Sequence, residues 1–310
     1  MIRIFKTEDG AIHQIDEAEA GCWIALTNPT ATEILEIAER YEIDPDHVRA
    51  PLDEEERSRI EIEDHYSLIL VDIPVIEERN EKDWYVTIPM GIIMSDTIII
   101  TVCLEETPVL NAFMDGRVRD FFTYMKTRFI LQILYKNASL YLQYLRIIDK
   151  KSDIVEKELY KSPRNQELIE ILELQKSLVY FTTSLRSNEV VLEKLLKSEK
   201  IKKYPEDTDL LDDVIIENKQ AIEMANIYSG ILSGTMDAFA SVISNNLNIV
   251  MKFLATITIV MSIPTSFYGM NVLSSSMPFA TNPYGFVIVI VLSVILTCAV
   301  AWIFAKRNLF

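Results

Sequence analysis

The sequence predicts a mixed α/β region, then long helices, then two apolar spans near its C-terminal end. Three observations carry this. Six β-branched runs fall within the first 105 residues. No proline interrupts residues 206–263, where apolar residues recur every seven positions. Residues 249–267 and 285–305 form runs of 19 and 21 residues that hold one charge between them, Lys252.

Taken in order, the strand candidates are IRIF, AIHQI, CWIALT, YSLILVDIPV, WYVTIPMGIIM and TIIITVCL. Each is bounded by polar or turn residues. Thr30 to Arg40 and Pro45 to Glu55 carry helix signals between them. The run DEEERSRIEIEDH reads as a solvated charged turn leading into a strand. Residues 107–204 form charged helices with Tyr and Leu stripes, the pattern of ordinary helix packing. Pro205, with acids in the turn after it, starts a further helix. One seam of that helix runs Ile215, Ile222, Ser229, Met236, Ile243, Val250, Ile257; a second runs Asn218, Ala225, Leu232, Phe239, Asn246, Phe253. This is a coiled-coil-like stalk continuous with the first apolar span.

Charge divides the chain. The net charge is −16, yet all 46 acids lie in residues 1–250. Three of the 30 basic residues (Lys252, Lys306, Arg307) lie beyond residue 250, leaving 27 before it. Such a surface repels nucleic acid and attracts cations; solubility alone accounts for it equally well. Three cysteines and three histidines are scattered without metal-ligand spacing, so no disulfide framework and no zinc site are expected. No cleavable leader is read in MIRIFKTEDG. No glycine-rich phosphate loop or catalytic triad signature stands out, so no enzyme and no organic cofactor are expected.

At about 1.5 Å per residue, each apolar run reaches about 30 Å, enough to cross a bilayer core. Lys252 precedes the first run, and Lys306 and Arg307 close the second; the connection between them has no basic residue. This places both termini in the cytoplasm and the connection outside, in a multi-pass protein of the cell membrane. In the first run, polar residues at Asn248, Thr258, Ser262 and Thr265 keep near one helical face, with Met251 and Leu254 on or beside it. Two readings of this stripe stand. It lines a wet path, or its hydroxyls bond their own helix backbone or glue helices together. A single hairpin encloses no path, so a pore requires several chains.

Between the runs stands Tyr268-Gly269-Met270-Asn271. In that position the motif resembles the signature of the CorA family of magnesium channels. LDEEERSRIEIEDHYSLIL, VTIPMGIIM with TIIITVC, and NNLNIVMKFL agree with the same family, over essentially the whole chain. The resemblance implies a funnel-shaped homopentamer in the bilayer, handling divalent cations. Its parts are an α/β cytoplasmic domain (1–106), a helical layer (107–204), a stalk (205–248), a pore-lining span (249–268), an outer loop (269–284), a second span (285–305) and a basic tail (306–310). It implies that Asn248, Met251, Leu254, Thr258, Ser262 and Thr265 face the pore. Tyr268, Gly269, Met270 and Asn271 are then the outer filter. Lys306 and Arg307 form a basic ring, and Asp213 and Asp237 are stalk acids that hold regulatory Mg²⁺. Mg²⁺ is thus the transported ion and a regulatory one, with Co²⁺, Ni²⁺ and Zn²⁺ as alternative cargo. A membrane-anchored scaffold without transport is the alternative from another class.

The pattern departs from the family in three places. The outer loop reads Met277-Pro278-Phe279-Ala280, without the family's acid. The partner of Asp213 in the family's sensing pair aligns with Ala50; Asp53, one turn on, is the candidate substitute. Pro264-Thr265 runs straight into Ser266, where many relatives have about three more residues, a difference worth about 4.5 Å of helix.

Overall fold

The computed structural model describes residues 1–79, 82–161, 165–198, 205–271 and 284–306. The chain divides into two compact units, residues 1–234 and 235–310.

In the first unit, seven strands form one sheet: β1 (Ile2–Glu8), β2 (Ala11–Ile15), β3 (Trp23–Thr27), β4 (Arg59–Ile62), β5 (Tyr66–Arg79), β6 (Lys82–Ser95) and β7 (Ile99–Cys103). Their order is β2-β1-β3-β7-β6-β5-β4. Only β3 and β7 pair in parallel; every other pairing is antiparallel. Alternation sends successive side chains to opposite faces. Ile24 and Leu26, Leu68 and Leu70, and Ile100 and Val102 meet α1 (Ala31–Arg40) and α2 (Pro45–Arg49) through Ile34, Ile37 and Val48. On the opposite face Trp23 packs edge-on to Phe121 and Phe129, beneath α3 (Pro108–Met114) and α4 (Lys126–Lys161). Both faces are therefore buried, which explains strands that read as continuous apolar runs.

Caps fix the helix starts. Thr30 accepts from the Glu33 amide while the Glu33 carboxylate accepts from the Thr30 amide, closing a capping box before α1. Asp44 accepts from the Asp46 amide at the start of α2, with Pro45 as its first residue. The helix expected to reach Glu55 stops earlier. Pro51 has no amide proton, so α2 gives way to one 3-10 turn, Ala50–Leu52, closed at Asp53. Pro51 lies against Gly91 of β6, where an added Cβ would collide with Pro51 Cγ and stand 3.2 Å from Pro51 Cβ. Gly91 is thus required for close approach rather than for backbone freedom.

The charged run at 53–65 is not all turn. Arg59 to Ile62 forms β4, paired with β5 from Leu70 to Ser67. Pairing on this edge stops at Arg59 opposite Leu70, two residues short of Asp72. An amide side chain from α5 (Asn165–Lys197) takes over. Asn188 Oδ1 accepts from the Asp72 amide at 2.8 Å, and its Nδ2 donates to the Asp72 carbonyl at 2.8 Å. Asn188 therefore presents one acceptor and one donor, as a neighbouring strand would. Asn137 and Tyr141 of α4 also donate to the Asp72 carbonyl, at 2.9 and 3.2 Å. Two helices are keyed to the sheet at this one peptide.

α6 runs from Pro205 to Asn271. Within the first unit its buried seam is Leu211, Val214, Asn218, Ala221, Ala225 and Leu232. This follows the second expected seam, whereas Ile215, Ile222 and Ser229 of the first are only half-buried. Asn218 Nδ2 donates to the Leu185 carbonyl at 3.1 Å, which satisfies the polar member of the seam.

The second unit holds the remainder of α6 and α7 (Gly285–Lys306). By length and composition α6 can cross a membrane; its most apolar stretch has a mean hydropathy of 1.7 and is almost wholly exposed. The apolar stretch described in α7 is Val287–Ile303. The small side chains Thr256 and Ser293 are buried, one on each helix. The helix does not break at Gly269, where an exit was expected; its backbone stays helical to Asn271.

Candidate functional site

Three of the stripe residues come together. Thr258, Ser262 and Thr265 line a shallow groove on α6 with Ile257, Met261 and Ser266, and the groove has a volume of about 490 Å³. Asn248, Met251 and Leu254 lie on the same helix outside this groove, all exposed; Met251 and Leu254 are 59% and 53% accessible. Ser266, which the stripe did not include, is the fourth hydroxyl.

Each hydroxyl in the groove donates its proton to its own helix. Thr258 donates to the Leu254 carbonyl (2.8 Å), Ser262 to Ile259 (2.8 Å), Thr265 to Met261 (2.9 Å) and Ser266 to Ser262 (2.9 Å). Backbone bonding, one of the two readings of the stripe, is therefore observed. It does not exclude the other. With its proton turned inward, a hydroxyl keeps acceptor lone pairs for whatever fills the groove. Pro264 lies among these residues and supplies no amide proton, so the Val260 carbonyl lacks its helical donor.

The side chains of Tyr268, Gly269, Met270 and Asn271, and the whole of 272–283, lie outside the described residues, as does Arg307. Lys306 is exposed, with Nζ 5.1 Å from the centre of the Trp302 ring. Asp213 and Asp237 are exposed on α6, and neither forms an ion pair among the described residues. Asp53 accepts from the Glu55 amide at 3.1 Å, so it serves the turn after the 3-10 segment. No group of three or more metal-ligating side chains among the described residues includes Asp53, Asp213 or Asp237.

One such group was missed. His47, Glu61 and Glu63 bring one donor atom each within 4.8 Å of one another. Scattered histidines were expected to hold no metal. That expectation concerned spacing along the chain; in the fold α2 lies over the β4–β5 hairpin and brings these three side chains together. The signal available in sequence was the Glu61–Glu63 spacing of two, which puts both carboxylates on one face of an extended segment.

Comparison with known proteins places the chain. The sequence model described as CorA-like Mg2+ transporter protein matches residues 18–307. The Cobalt/magnesium transport protein CorA of Methanocaldococcus jannaschii is 26% identical over 92% of this chain and 90% of that protein. The Thermotoga maritima protein of the same name is 22% identical over 99% of this chain and 88% of that protein. The solved structure of the complete CorA magnesium transporter from M. jannaschii superposes with a TM-score of 0.87, covering 99% of this chain and 98% of that one at 22% identity. That likeness extends to the fold: a seven-stranded sheet between helices, followed by a long helix. On the family match across nearly its whole length, the chain belongs to the CorA-like Mg²⁺ transporter family.

Proposed function

We propose that this chain transports divalent cations across a membrane as a homopentamer, with Mg²⁺ as the principal cargo and the apolar part of α6 lining the path. The observation that carries the reading is the groove of Thr258, Ser262, Thr265 and Ser266. Magnesium sheds its water reluctantly and travels best with the shell in place. Bound waters turn their protons outward, so a path for the hydrated ion needs acceptors. Hydroxyls that donate into their own helix supply acceptors without a fixed charge to trap the ion.

The remaining parts follow the same chemistry. Five copies would bring the exposed Met251 and Leu254 together as an apolar collar that closes by dewetting. Asn248 would stand at the inner end of the path. Five Asn271 amides, with Gly269 carbonyls, would hold the hydration shell at the outer mouth beside Tyr268 and Met270. Both spans would cross the cell membrane with the termini in the cytoplasm, and Lys306 with Arg307 would ring the inner mouth. Mg²⁺ held at Asp213 and Asp237, with Asp53 in place of the acid that Ala50 lacks, would keep the acidic cytoplasmic part shut until the internal ion falls. The relatives named for cobalt and magnesium favour Co²⁺ as a second cargo.

The test is uptake into proteoliposomes of Mg²⁺, Co²⁺ and Zn²⁺ under an inside-negative potential. Mg²⁺ and Co²⁺ uptake is expected, inhibited by internal Mg²⁺. Zn²⁺ uptake exceeding Mg²⁺ would replace the cargo assignment, and no uptake of any ion would leave an anchored scaffold.

A further inference from the structure

The cytoplasmic unit holds a second cluster of donors unlike the path. β4 and β5 form a tight hairpin in which Glu61 stands opposite Leu68, and the Glu63 amide donates to the Tyr66 carbonyl. Residues opposite one another share a face, so Glu61, Glu63, Tyr66 and Leu68 lie on one side of the hairpin. Tyr66 and Leu68 belong to the core that includes Val48 of α2. His47, next to Val48, is therefore delivered onto the two carboxylates.

The geometry of the imidazole is specific. Its Nε2 lies 3.3 Å from Glu61 Oε2. Two donors on one tetrahedral ion, each about 2.0–2.2 Å from it, stand roughly 3.3–3.5 Å apart. The pair therefore already has the separation of two ligands. Its Nδ1 lies 2.7 Å from Tyr66 Oη, which itself accepts from the Asp44 amide at 3.2 Å. When Nδ1 carries the proton it donates to Tyr66, and Nε2 is left free to bind a metal. Metal-binding histidines are held by such an outer partner.

The charges agree. Arg59 engages Glu61 through its Nε and Glu56 through its Nη1. The carboxylates of Glu56, Glu61 and Glu63 against the one guanidinium of Arg59 leave two negative charges around the imidazole. Glu61 Oε1 is committed to Arg59, but Oε2 faces His47. His47 is mostly buried and Glu63 is exposed, so an ion can enter from solvent.

We propose that His47, Glu61 and Glu63 form a binding site for a borderline transition-metal dication, of which Co²⁺ and Zn²⁺ are the test ions. One nitrogen and two carboxylate oxygens suit these metals, whereas Mg²⁺ prefers oxygen alone. The site lies within one chain and is read by binding, so it stands or falls separately from transport.

The experiment is a Co²⁺ titration of the full-length protein in detergent, followed by visible absorption, with Mg²⁺ in large excess to fill oxygen-only sites. The expected result is one His-dependent Co²⁺ per chain that Zn²⁺ displaces and Mg²⁺ does not. His47→Gln lowers the affinity by more than about 100-fold, and Tyr66→Phe by about 10-fold, the lower end for an outer partner. Glu63→Gln, at an exposed position, also weakens the site. His13→Gln and His65→Gln, both exposed, leave it unchanged. Co²⁺ absorption that is identical in wild type, His47→Gln and Glu63→Gln overturns the proposal, as does displacement by Mg²⁺.

Discussion

Replacing Asn188 with alanine isolates the contact that keys α5 to the sheet. Three hydrogen bonds are lost: from Ser58 Oγ (3.1 Å), from the Asp72 amide (2.8 Å) and to the Asp72 carbonyl (2.8 Å). Their consequences differ. The carbonyl keeps Asn137 and Tyr141, so its loss is a net hydrogen bond of about 1 kcal/mol. Ser58 can turn to solvent, because it is only half-buried. The Asp72 amide has no other partner on that edge, and an unsatisfied buried donor costs about 1–3 kcal/mol. The total is about 2–4 kcal/mol. For a unit of this size each kcal/mol shifts Tm by about 2–4 °C, so Asn188→Ala is expected to melt roughly 4–16 °C lower. Thermal unfolding of the full-length protein in detergent, followed by tryptophan fluorescence, reads this through Trp23 in the core. A shift within about 1 °C would refute the idea that the Asn188 amide substitutes for a strand.

Further outcomes follow from other contacts. Gly91→Ala forces a Cβ into Pro51 and is expected to cost about 1–3 kcal/mol by overpacking, read by thermal unfolding; Pro51→Ala in the same chain should recover part of it. Burial pushes the Asp72 carboxyl above the usual aspartate range, with Ser184 and Ser58 drawing it back. A carboxyl raised in the folded state is protonated more readily there, so its contribution to stability falls as pH rises from the unfolded value through the folded one. Asp72→Asn is therefore expected to raise Tm at pH 7, with the gain gone below about pH 4, where aspartate is protonated in either state. Thr258→Val keeps the shape of the groove and removes one acceptor; it should lower Mg²⁺ uptake several-fold while leaving the melting temperature of the first unit unchanged.

Much of the fold was legible because its elements are simple in period. The parallel pairing of β3 with β7 buries both faces, so their runs are apolar throughout and conspicuous. Pro205 and the acids after it marked the start of α6. β4 was hidden because two of its four residues are charged: Arg59 and Glu61 alternate with Ile60 and Ile62, although they stand opposite the core residues Leu70 and Leu68. α2 was read too long because its local signals are helical until Pro51, and the close approach to Gly91 is a tertiary fact. The polar stripe was readable from spacing alone. The direction of its hydroxyl protons was not, and that direction decides whether a groove of serines and threonines offers donors or acceptors. His47 and Glu61 lie on different elements, so no local spacing could have joined them.

The most direct measurement is Mg²⁺ uptake into proteoliposomes that hold either the wild-type chain or Asn271→Ala. Uptake by the wild type that is lost in Asn271→Ala, with both proteins incorporated and folded to the same extent, is the result expected of a path that ends at the Gly-Met-Asn motif. Equal uptake by the two would contradict that path, and no uptake by the wild type at any internal Mg²⁺ would contradict transport itself.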